Sequence, residues 1–167
     1  EGSVTLPRIV DRLAKHLGLS RSAIHFTETK RPVRQIAFCP GAGASLVESA
    51  ARLCDAEKGT ITRQIDGIFY RAESVGFSGE FMDAVRTLPV VPDRGSVTGR
   101  ALLEGKVVHI EDVLADKDYT FTDALKLGDF RTMLGVPMLR DGQPIGVLAL
   151  TRSEVRPFSE KQIDLVS

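Results

Sequence analysis

The sequence predicts a mixed α/β fold in which a central, mostly antiparallel sheet is flanked by helices. Two apolar runs, residues 133–139 and 145–150, are joined by a turn that contains Asp141-Gly142. This dipeptide between strand-like runs indicates a tight hairpin, because glycine tolerates the positive φ that such turns require. Both alternating sets of positions along the two runs are mostly apolar or small, which predicts strands covered on both faces. Pro137 cannot donate to the ladder, so we expect a bulge or an unpaired side there.

A second hairpin and several helices support the same fold class. Residues 60–66 and 68–75 are strand-like and meet at Asp66-Gly67. A helix is predicted ahead of them over residues 46–59, because apolar residues recur at helical spacing, and Gly59 is expected to end it. The remaining predicted elements are, in order, a short helix within 78–88, the helix Val97–Glu104 between Gly95-Ser96 and Gly105, a strand at 107–110, a short helix within 115–129, and a helix after Ser159 with Lys161-Gln162 in its first turn.

The first 45 residues are predicted to form a helix and two strands. Residues 6–17 carry apolar side chains on one helical stripe, with Thr5 placed to cap the helix and Gly18 to end it. Strand-like runs follow at 23–26 and 33–39. The segment therefore reads as a helix and two strands that lead into the helix at residue 46.

A glycine-containing loop at residues 40–45, Pro-Gly-Ala-Gly-Ala-Ser, lies between a predicted strand and a predicted helix. The amides at such a helix start could bind an anion. Leu46 stands where the dinucleotide-binding fingerprint needs its third glycine, and the Gly-Lys-Ser/Thr of a P-loop is absent. We therefore interpret the loop as a tight turn that also caps the following helix.

Composition and charge exclude several classes of function. The 167 residues contain 22 Lys and Arg against 22 Asp and Glu, so no excess of positive charge marks a nucleic-acid or anionic-membrane surface. No apolar run approaches the roughly 20 residues of a membrane-spanning helix, and no basic-then-apolar leader opens the chain. Cys39 and Cys54 are interpreted as reduced core thiols, which predicts a cytoplasmic protein.

From residue 46 onward, this order of helices, hairpins and loops resembles a GAF domain, the small-molecule-binding sensory module of signalling proteins. The resemblance rests on the helix at 46–59, on GSVTGRALLEGKVVHIEDV at 95–113, and on RTMLGVPMLRDGQPIGVLALTR at 131–152. It implies a GAF-like domain over residues 46–167 whose last helix is truncated and which has no catalytic activity. It also allows a homodimer, and it implies an output domain, a kinase or a nucleotide cyclase, that is absent from this chain.

Residues 1–45 do not follow the GAF pattern, which would place a long helix there. Residues 5–51 instead resemble a fragment of the Ngg-interacting-factor-like dinuclear-metal proteins, in which a strand, a glycine turn and a helix follow one another in this style. The resemblance implies a chain that joins parts of two families, by natural recombination or as an engineered chimera, and we favour the chimera. The N-terminal helix–strand–strand–helix fragment is expected either to extend the GAF-like sheet or to replace the long helix.

In GAF domains, small ligands lie between the sheet and a layer of helix and loop, which corresponds here to residues 95–133. The resemblance therefore implies a ligand site formed by Ser96, Thr98, His109, Tyr119, Phe121, Phe130, Arg131 and Thr132, with Val97 and Leu127 beside them. Aromatic side chains would supply apolar area, Arg131 could neutralise a carboxylate or phosphate, and His109 could donate or accept a hydrogen bond. The alternative is that Phe121 and Phe130 belong to the core, that His109 is hydrogen-bonded inside the sheet, and that Arg131 is a surface cap.

No cofactor and no metal site are predicted. The histidines and carboxylates of the dinuclear-metal family lie outside the shared fragment, and His16 and His25 lack the spacing of metal ligands. The chain has no asparagine, so the Asn-Lys…Phe…Asp-Glu signature of cyclic-nucleotide GAF domains is absent. Cys39 and Cys54 fall outside the pocket layer, so covalent bilin attachment is not expected.

These observations predict a non-catalytic sensory module that binds an unknown small molecule and has no nucleic-acid or membrane partner. The segment 95–99, Gly-Ser-Val-Thr-Gly, does not match a nucleophile elbow, because its serine directly follows the first glycine. Two alternatives stay open at this point. One is a structural or designed chimera with no ligand, and the other is a metal-dependent hydrolase of the dinuclear-metal family.

Overall fold

The computed structural model describes residues 42–167, which contain a five-stranded sheet and five helices. The helices are α1 (Ala42–Leu53), α2 (Gly79–Val85), α3 (Val97–Glu104), α4 (Thr122–Gly128) and α5 (Glu160–Val166). The strands are β1 (Lys58–Ile65), β2 (Ile68–Val75), β3 (Val108–Ile110), β4 (Thr132–Arg140) and β5 (Gln143–Arg152). Their order in the sheet is β2-β1-β5-β4-β3 and every neighbouring pair is antiparallel, which confirms the predicted fold class. The helix predicted at 6–17, the strands at 23–26 and 33–39, and the residues Cys39, His16 and His25 lie outside the described residues.

Both predicted hairpins form around turns with two residues of positive φ. Asp66 and Gly67 have φ of 50° and 84°, and Asp141 and Gly142 have φ of 52° and 77°. This is the backbone pattern of a type I′ turn, whose twist matches that of the flanking strands. In β4, Pro137 pairs with Val147, β3 does not extend far enough to reach it, and a register shift follows immediately after Met138. The irregularity expected at the proline is therefore present.

Both ends of α1 differ from the prediction. The helix begins at Ala42, so residues 42–45, which were predicted to belong to a tight turn before a helix at Leu46, form its first turn. The helix stops at Leu53, because Asp55 adopts positive φ and the amide of Ala56 bonds back to the carbonyl of Ala51. Gly59 does not end the helix but lies buried in β1. A Cβ at Gly59 would lie 2.8 Å from Cγ1 of Val47, so glycine is needed where α1 approaches the sheet.

Helices cover both faces of the sheet. We call the side packed against the first and last helices the α1/α5 face; its buried core is formed by Val47, Ala50, Ala51, Cys54, Ile61, Leu134, Val136, Met138, Leu148, Leu150, Phe158 and Val166. The opposite side, the α2–α4 face, buries Phe81, Met82, Val85, Val97, Ile110, Val113, Tyr119, Ala124, Phe130, Met133 and Ala149. On this second face α3 lies directly on β4, because a Cβ at Gly135 would meet both the side chain and the carbonyl of Val97 at 3.0 Å.

Serine residues cap three of the helices. The side chains of Ser78, Ser96 and Ser159 accept hydrogen bonds from the amides of the third residues of α2, α3 and α5. The α5 cap is a complete capping box, because the Gln162 side chain accepts from the Ser159 amide in return. Gly105, at φ 61°, ends α3 as the sequence predicted. Within residues 42–167, no helix has the length and apolar content that crossing a membrane requires.

Candidate functional site

Three of the predicted site residues lie together on the α2–α4 face. The ring of Phe130 is edge-on to that of Tyr119, with 6.4 Å between ring centroids, and it contacts the stacked pair Phe77–Phe81 in the same way. Phe121 packs against the same cluster. The structure thus brings Tyr119, Phe121 and Phe130 into one aromatic group under the α2–α4 layer.

Ser96 and Thr98 hold the start of α3 above this face. The Ser96 hydroxyl accepts the Gly99 amide at 3.0 Å, so it caps the helix. Thr98 is buried in the first turn, beside Val97, which packs on Gly135. Leu127, predicted beside the site, is largely exposed on α4.

His109 and Thr132 lie on the opposite, α1/α5 face. His109 pairs with Leu134 in the sheet, and its Nε2 accepts the Phe158 amide at 3.1 Å. Burial is the main cause that lowers the pKa of His109. The Thr132 hydroxyl is 2.6 Å from the carbonyl oxygen of Glu111 and accepts the Arg156 amide at 2.9 Å. The structure therefore does not bring these two residues together with the aromatic group.

Arg131 already has a carboxylate partner. Its Nε and one terminal nitrogen donate to the two oxygens of Asp112 at 2.9 and 2.7 Å. This bidentate contact is the main cause that lowers the pKa of Asp112 and raises that of Arg131. The pair ties the loop after β3 to the start of β4, so the Arg131 charge is matched within the chain.

A buried arginine that the sequence analysis did not single out lies on the α2–α4 face. Arg71 of β2 is only 8% exposed, and its guanidinium carbon lies 4.9 Å from the ring centroid of Phe121. Among residues 42–167 nothing forms a hydrogen bond or an ion pair with it. Burial lowers the pKa of Arg71, and the nearby Tyr119 partly opposes this effect.

Three buried hydroxyl groups on the same face also lack hydrogen-bond partners in the described part of the chain: Thr62, Tyr119 and Thr151. Thr62 lies directly opposite Arg71 in the β1–β2 register. Thr151 is farther along the face, opposite Lys58 and Met133. Burial raises the pKa of Tyr119, while the field of Arg71 acts in the other direction. The Tyr119 hydroxyl is thus neutral and available as a donor.

The sequence does contain a signal for Arg71. Alternate residues of a strand point to the same face, so Arg71 shares a face with Phe69, which is buried. The same alternation places Thr60 and Thr62 together on β1. An arginine in step with a core phenylalanine marks an unusual position, and this is the observation that could have identified it.

A separate open cavity of about 480 Å³ lies at the hairpin end of the sheet, and Arg71 and the unpartnered hydroxyls do not line it. Its lining residues are Gln64, Phe69, Leu102, Arg140, Asp141, Gln143, Pro144 and Ile145. We favour the α2–α4 face as the candidate site, because buried polar groups without partners are rare in proteins and shallow surface depressions are common.

Among residues 42–167, no group of three or more His, Cys, Asp or Glu is arranged to hold a metal ion. Cys54 is an unpaired, buried thiol on the α1/α5 face, as predicted for a core cysteine. Burial raises its pKa to about 11, so it is a protonated thiol at neutral pH.

Solved GAF structures share this fold. The GAF domain of a phosphoenolpyruvate-protein phosphotransferase from Coxiella burnetii matches with a TM-score of 0.68 and 15% identity, over 95% of this chain and 84% of that chain. The type II free methionine-R-sulfoxide reductase from Thermoplasma acidophilum matches with a TM-score of 0.60 and 15% identity, over 74% and 81%. NreA from Staphylococcus aureus, in a form mutated in its nitrate binding site, matches with a TM-score of 0.57 and 18% identity, over 70% and 87%.

No curated protein matches the chain. The sequence profile of the GAF domain matches residues 3–167, and this range includes all of residues 5–51, for which a second family was predicted. The described fold, a five-stranded antiparallel sheet flanked by helices, is the one that the matched GAF structures share. The chain therefore belongs to the GAF domain family, whose members are commonly sensory or regulatory modules that bind small molecules.

Proposed function

We propose that this chain is the ligand-binding sensory module of a signal-transduction protein and that its ligand binds on the α2–α4 face. The observation that carries the proposal is that the buried hydroxyls of Thr62, Tyr119 and Thr151 have no hydrogen-bond partner among residues 42–167 and share a face of the sheet with the aromatic group. A small molecule between the sheet and the α2–α4 layer would supply the missing hydrogen-bond partners.

The energetics support a role in binding. A buried hydroxyl without a partner costs about 1–3 kcal/mol, so three of them on one face are a substantial cost to stability. Ligand sites commonly combine apolar and aromatic walls with a few polar groups that fix the ligand's orientation. Here Tyr119, Phe121 and Phe130 would form the wall, and the hydroxyls would orient the ligand.

The other predicted site residues take supporting roles in this proposal. Ser96 and Thr98 fix the start of α3 above the ligand. Arg131 holds the loop after β3 to the start of β4 through Asp112. His109 and Thr132 act on the other face of the sheet and do not touch the ligand.

We propose no catalytic activity for the chain. The methionine sulfoxide reductase shows that an enzyme can share this fold. A thiol-dependent activity needs a thiolate, and Cys54 is a buried thiol whose pKa is raised to about 11. It also lies on the α1/α5 face, away from the aromatic group.

Thermal-shift measurements test the proposal. Purified protein is screened with purines, cyclic nucleotides, small organic acids, neutral amides, haem, and Zn²⁺ or Mn²⁺. We expect at least one small molecule to raise the melting temperature, and Tyr119→Phe to reduce that shift. Stabilisation by Zn²⁺ or Mn²⁺ together with phosphatase activity would instead support the dinuclear-metal hydrolase. An absence of any response would contradict a sensory role and favour a chimera without a ligand.

A further inference from the structure

We propose that the ligand of this site carries a planar oxyanion with a single charge, a carboxylate or a nitrate, and that the Arg71 guanidinium binds it. The inference rests on the proposed function and names the class of ligand. Thr62 and Tyr119 are the hydroxyl donors that complete the anion site, and Phe121 covers the guanidinium.

Comparison with the other two buried arginines on the described chain carries the argument. Arg152 is 1% exposed, and carbonyl groups at the end of α1 and before α5 accept its donors. Arg100 donates to both carboxylate oxygens of Asp116 at 2.6 and 2.9 Å and to a carbonyl oxygen. Arg71 is similarly buried, but within residues 42–167 it has no hydrogen-bond or ion-pair partner, and its guanidinium lies over the Phe121 ring.

A buried charge without a partner is unfavourable, because the interior does not replace its hydration. Arginine cannot relieve this cost by releasing its proton at neutral pH, since its pKa stays far above 7. The polar group that shares its surroundings, Tyr119, is itself neutral. An anion is therefore the missing partner of this position.

Geometry favours a planar anion. The guanidinium presents a rigid fork of donors that matches two oxygens held in one plane. Thr62 lies directly across the β1–β2 pair from Arg71, and Tyr119 belongs to the buried cluster against which Phe121, the ring under the guanidinium, also packs. Their hydroxyls can donate to the lone pairs that the fork leaves open.

The charge and the walls restrict the ligand further. One guanidinium without an ion-pair partner in the described part of the chain matches one negative charge, which favours a carboxylate or nitrate over a phosphate dianion. The aromatic group of Tyr119, Phe121 and Phe130 provides apolar area for the body of a small organic acid. Because these groups are buried, the ligand can reach them only when the side chains that cover them move aside.

Matched probes test the inference on the intact chain. Sodium benzoate, sodium nitrate, sodium sulfate and neutral benzamide are compared by thermal shift and calorimetry, with sodium chloride used to equalise ionic strength. We expect benzoate or nitrate to raise the melting temperature, and sulfate, benzamide and chloride to have no effect. A response to benzoate alone would identify a carboxylate with an apolar body, and a response to nitrate would identify a small inorganic anion.

Two variants separate binding from structure. Arg71→Met should weaken binding of the active probe at least tenfold, while the melting temperature of the ligand-free protein stays the same or rises. Arg63→Met is the control, because Arg63 follows Thr62 on β1, faces the other side of the sheet and is exposed. It removes the same charge and should leave binding unchanged. If Arg71→Met does not fold, Arg71→Lys should fold and bind the probe more weakly, since it keeps the charge but loses the fork.

The inference and the proposed function fail in different ways. One outcome is that neutral molecules bind, that Tyr119→Phe weakens their binding, and that no anion binds. The sensory function would then stand, and the anion inference would be overturned. A ligand-free Arg71→Met variant that melts as far below the wild type as Arg100→Met would also overturn it, because Arg71 would then be structural. If no molecule of any charge binds, the proposed function itself fails.

Discussion

Main-chain carbonyl groups surround the buried guanidinium of Arg152 and come from two parts of the chain. Cys54 and Asp55 follow α1, and Arg156 and Pro157 precede α5. The ring of Phe158 stacks on the guanidinium at 4.0 Å. The Arg152 side chain therefore donates hydrogen bonds to carbonyl groups just after α1 and just before α5. Without it, these carbonyl groups would be buried without donors.

Arg152→Met should lower the free energy of unfolding by about 3–5 kcal/mol, because several buried carbonyls lose their donor at once. Urea denaturation followed by circular dichroism measures the change. Arg63→Met, at an exposed position of β1, serves as the control for losing one arginine from the sheet. A loss below about 1 kcal/mol for Arg152→Met would contradict this account, because surface changes are usually of that size.

A pH-dependent stability is expected from His109. Its Nε2 accepts the Phe158 amide, so the folded state needs the neutral imidazole. Burial lowers the pKa of His109 below its usual 6.5, although Glu111 partly opposes this shift. The unfolded state then binds the proton more tightly, so the free energy of unfolding falls as the pH drops below about 6.5. His109→Gln keeps an acceptor without a titrating group.

Urea denaturation at several values between pH 5 and 8 checks this expectation. The wild type should lose more stability between pH 7 and 5.5 than His109→Gln does. The difference between the two proteins isolates His109, because all other titrating groups are common to both. Equal slopes for the two proteins would show that His109 binds its proton equally well in the folded and unfolded states.

At the level of secondary structure, Lys58 attaches α4 to the sheet. Its ammonium group donates to the carbonyls of Gly128 and Asp129 at 2.8 and 2.6 Å, and to the Ser153 hydroxyl at 3.0 Å. A positive charge at a helix C-terminus is favourable, because the last carbonyls carry partial negative charge. The short helix that bears Phe121 at its start is thereby fixed at its other end.

Lys58→Met should destabilise the protein by about 1–3 kcal/mol, the range for hydrogen bonds to a charged group. Its more specific effect is faster hydrogen exchange of the α4 amides, which mass spectrometry can measure. Lys126→Met is the matched control, since Lys126 lies on α4 itself but is 78% exposed and faces Asp123 at 3.7 Å. If the α4 amides exchange at the same rate in Lys58→Met and Lys126→Met, Lys58 does not attach α4 to the sheet.

Elements that depend on local sequence were predicted well. The Asp-Gly turns and the helix Val97–Glu104 follow from residues that are neighbours in the chain. The end of α1 was not predicted correctly, because it depends on contacts with residues distant in sequence. The Asp55 carbonyl accepts from Arg152, and Gly59 packs against Val47 and the neighbouring strand.

The site was predicted in part for the same reason. Aromatic residues of the loop, such as Tyr119 and Phe130, are recognisable from the sequence. The face on which His109 or Thr132 lies depends on the register of β3 and β4, and a shift of one residue reverses it. Arg71 and Thr62 meet only through the pairing of β1 with β2. The proposed second family at residues 1–45 stays a prediction, as do the homodimer and the output domain.

Across the whole molecule, the unpartnered polar groups of the described residues are concentrated on one face of the sheet. The α1/α5 face shows the contrary arrangement, in which Arg152, His109 and Thr132 all have partners. Removing the orphaned hydroxyls should therefore stabilise the fold, whereas removing a partnered one should not.

The variant Thr62→Val/Tyr119→Phe/Thr151→Val should raise the free energy of unfolding by about 1–3 kcal/mol, because each change removes a buried group without a partner. The same variant should lose its response to any ligand of the α2–α4 face. Thr132→Val is the control and should be destabilising, since its hydroxyl is bonded. Chemical denaturation compares all of them. A less stable triple variant would mean that the hydroxyls have partners after all.

Thr151 and Arg152 are consecutive residues of β5, and their side chains lie on opposite faces of the sheet. One peptide plane thus separates the Thr151 hydroxyl, which has no hydrogen-bond partner in the described part of the chain, from the guanidinium that donates to carbonyls after α1 and before α5. A ligand bonded to the Thr151 hydroxyl would therefore lie one residue along β5 from the side chain that contacts the ends of both helices. The covalent path from the α2–α4 face to the residue that contacts α1 and α5 is therefore one residue long.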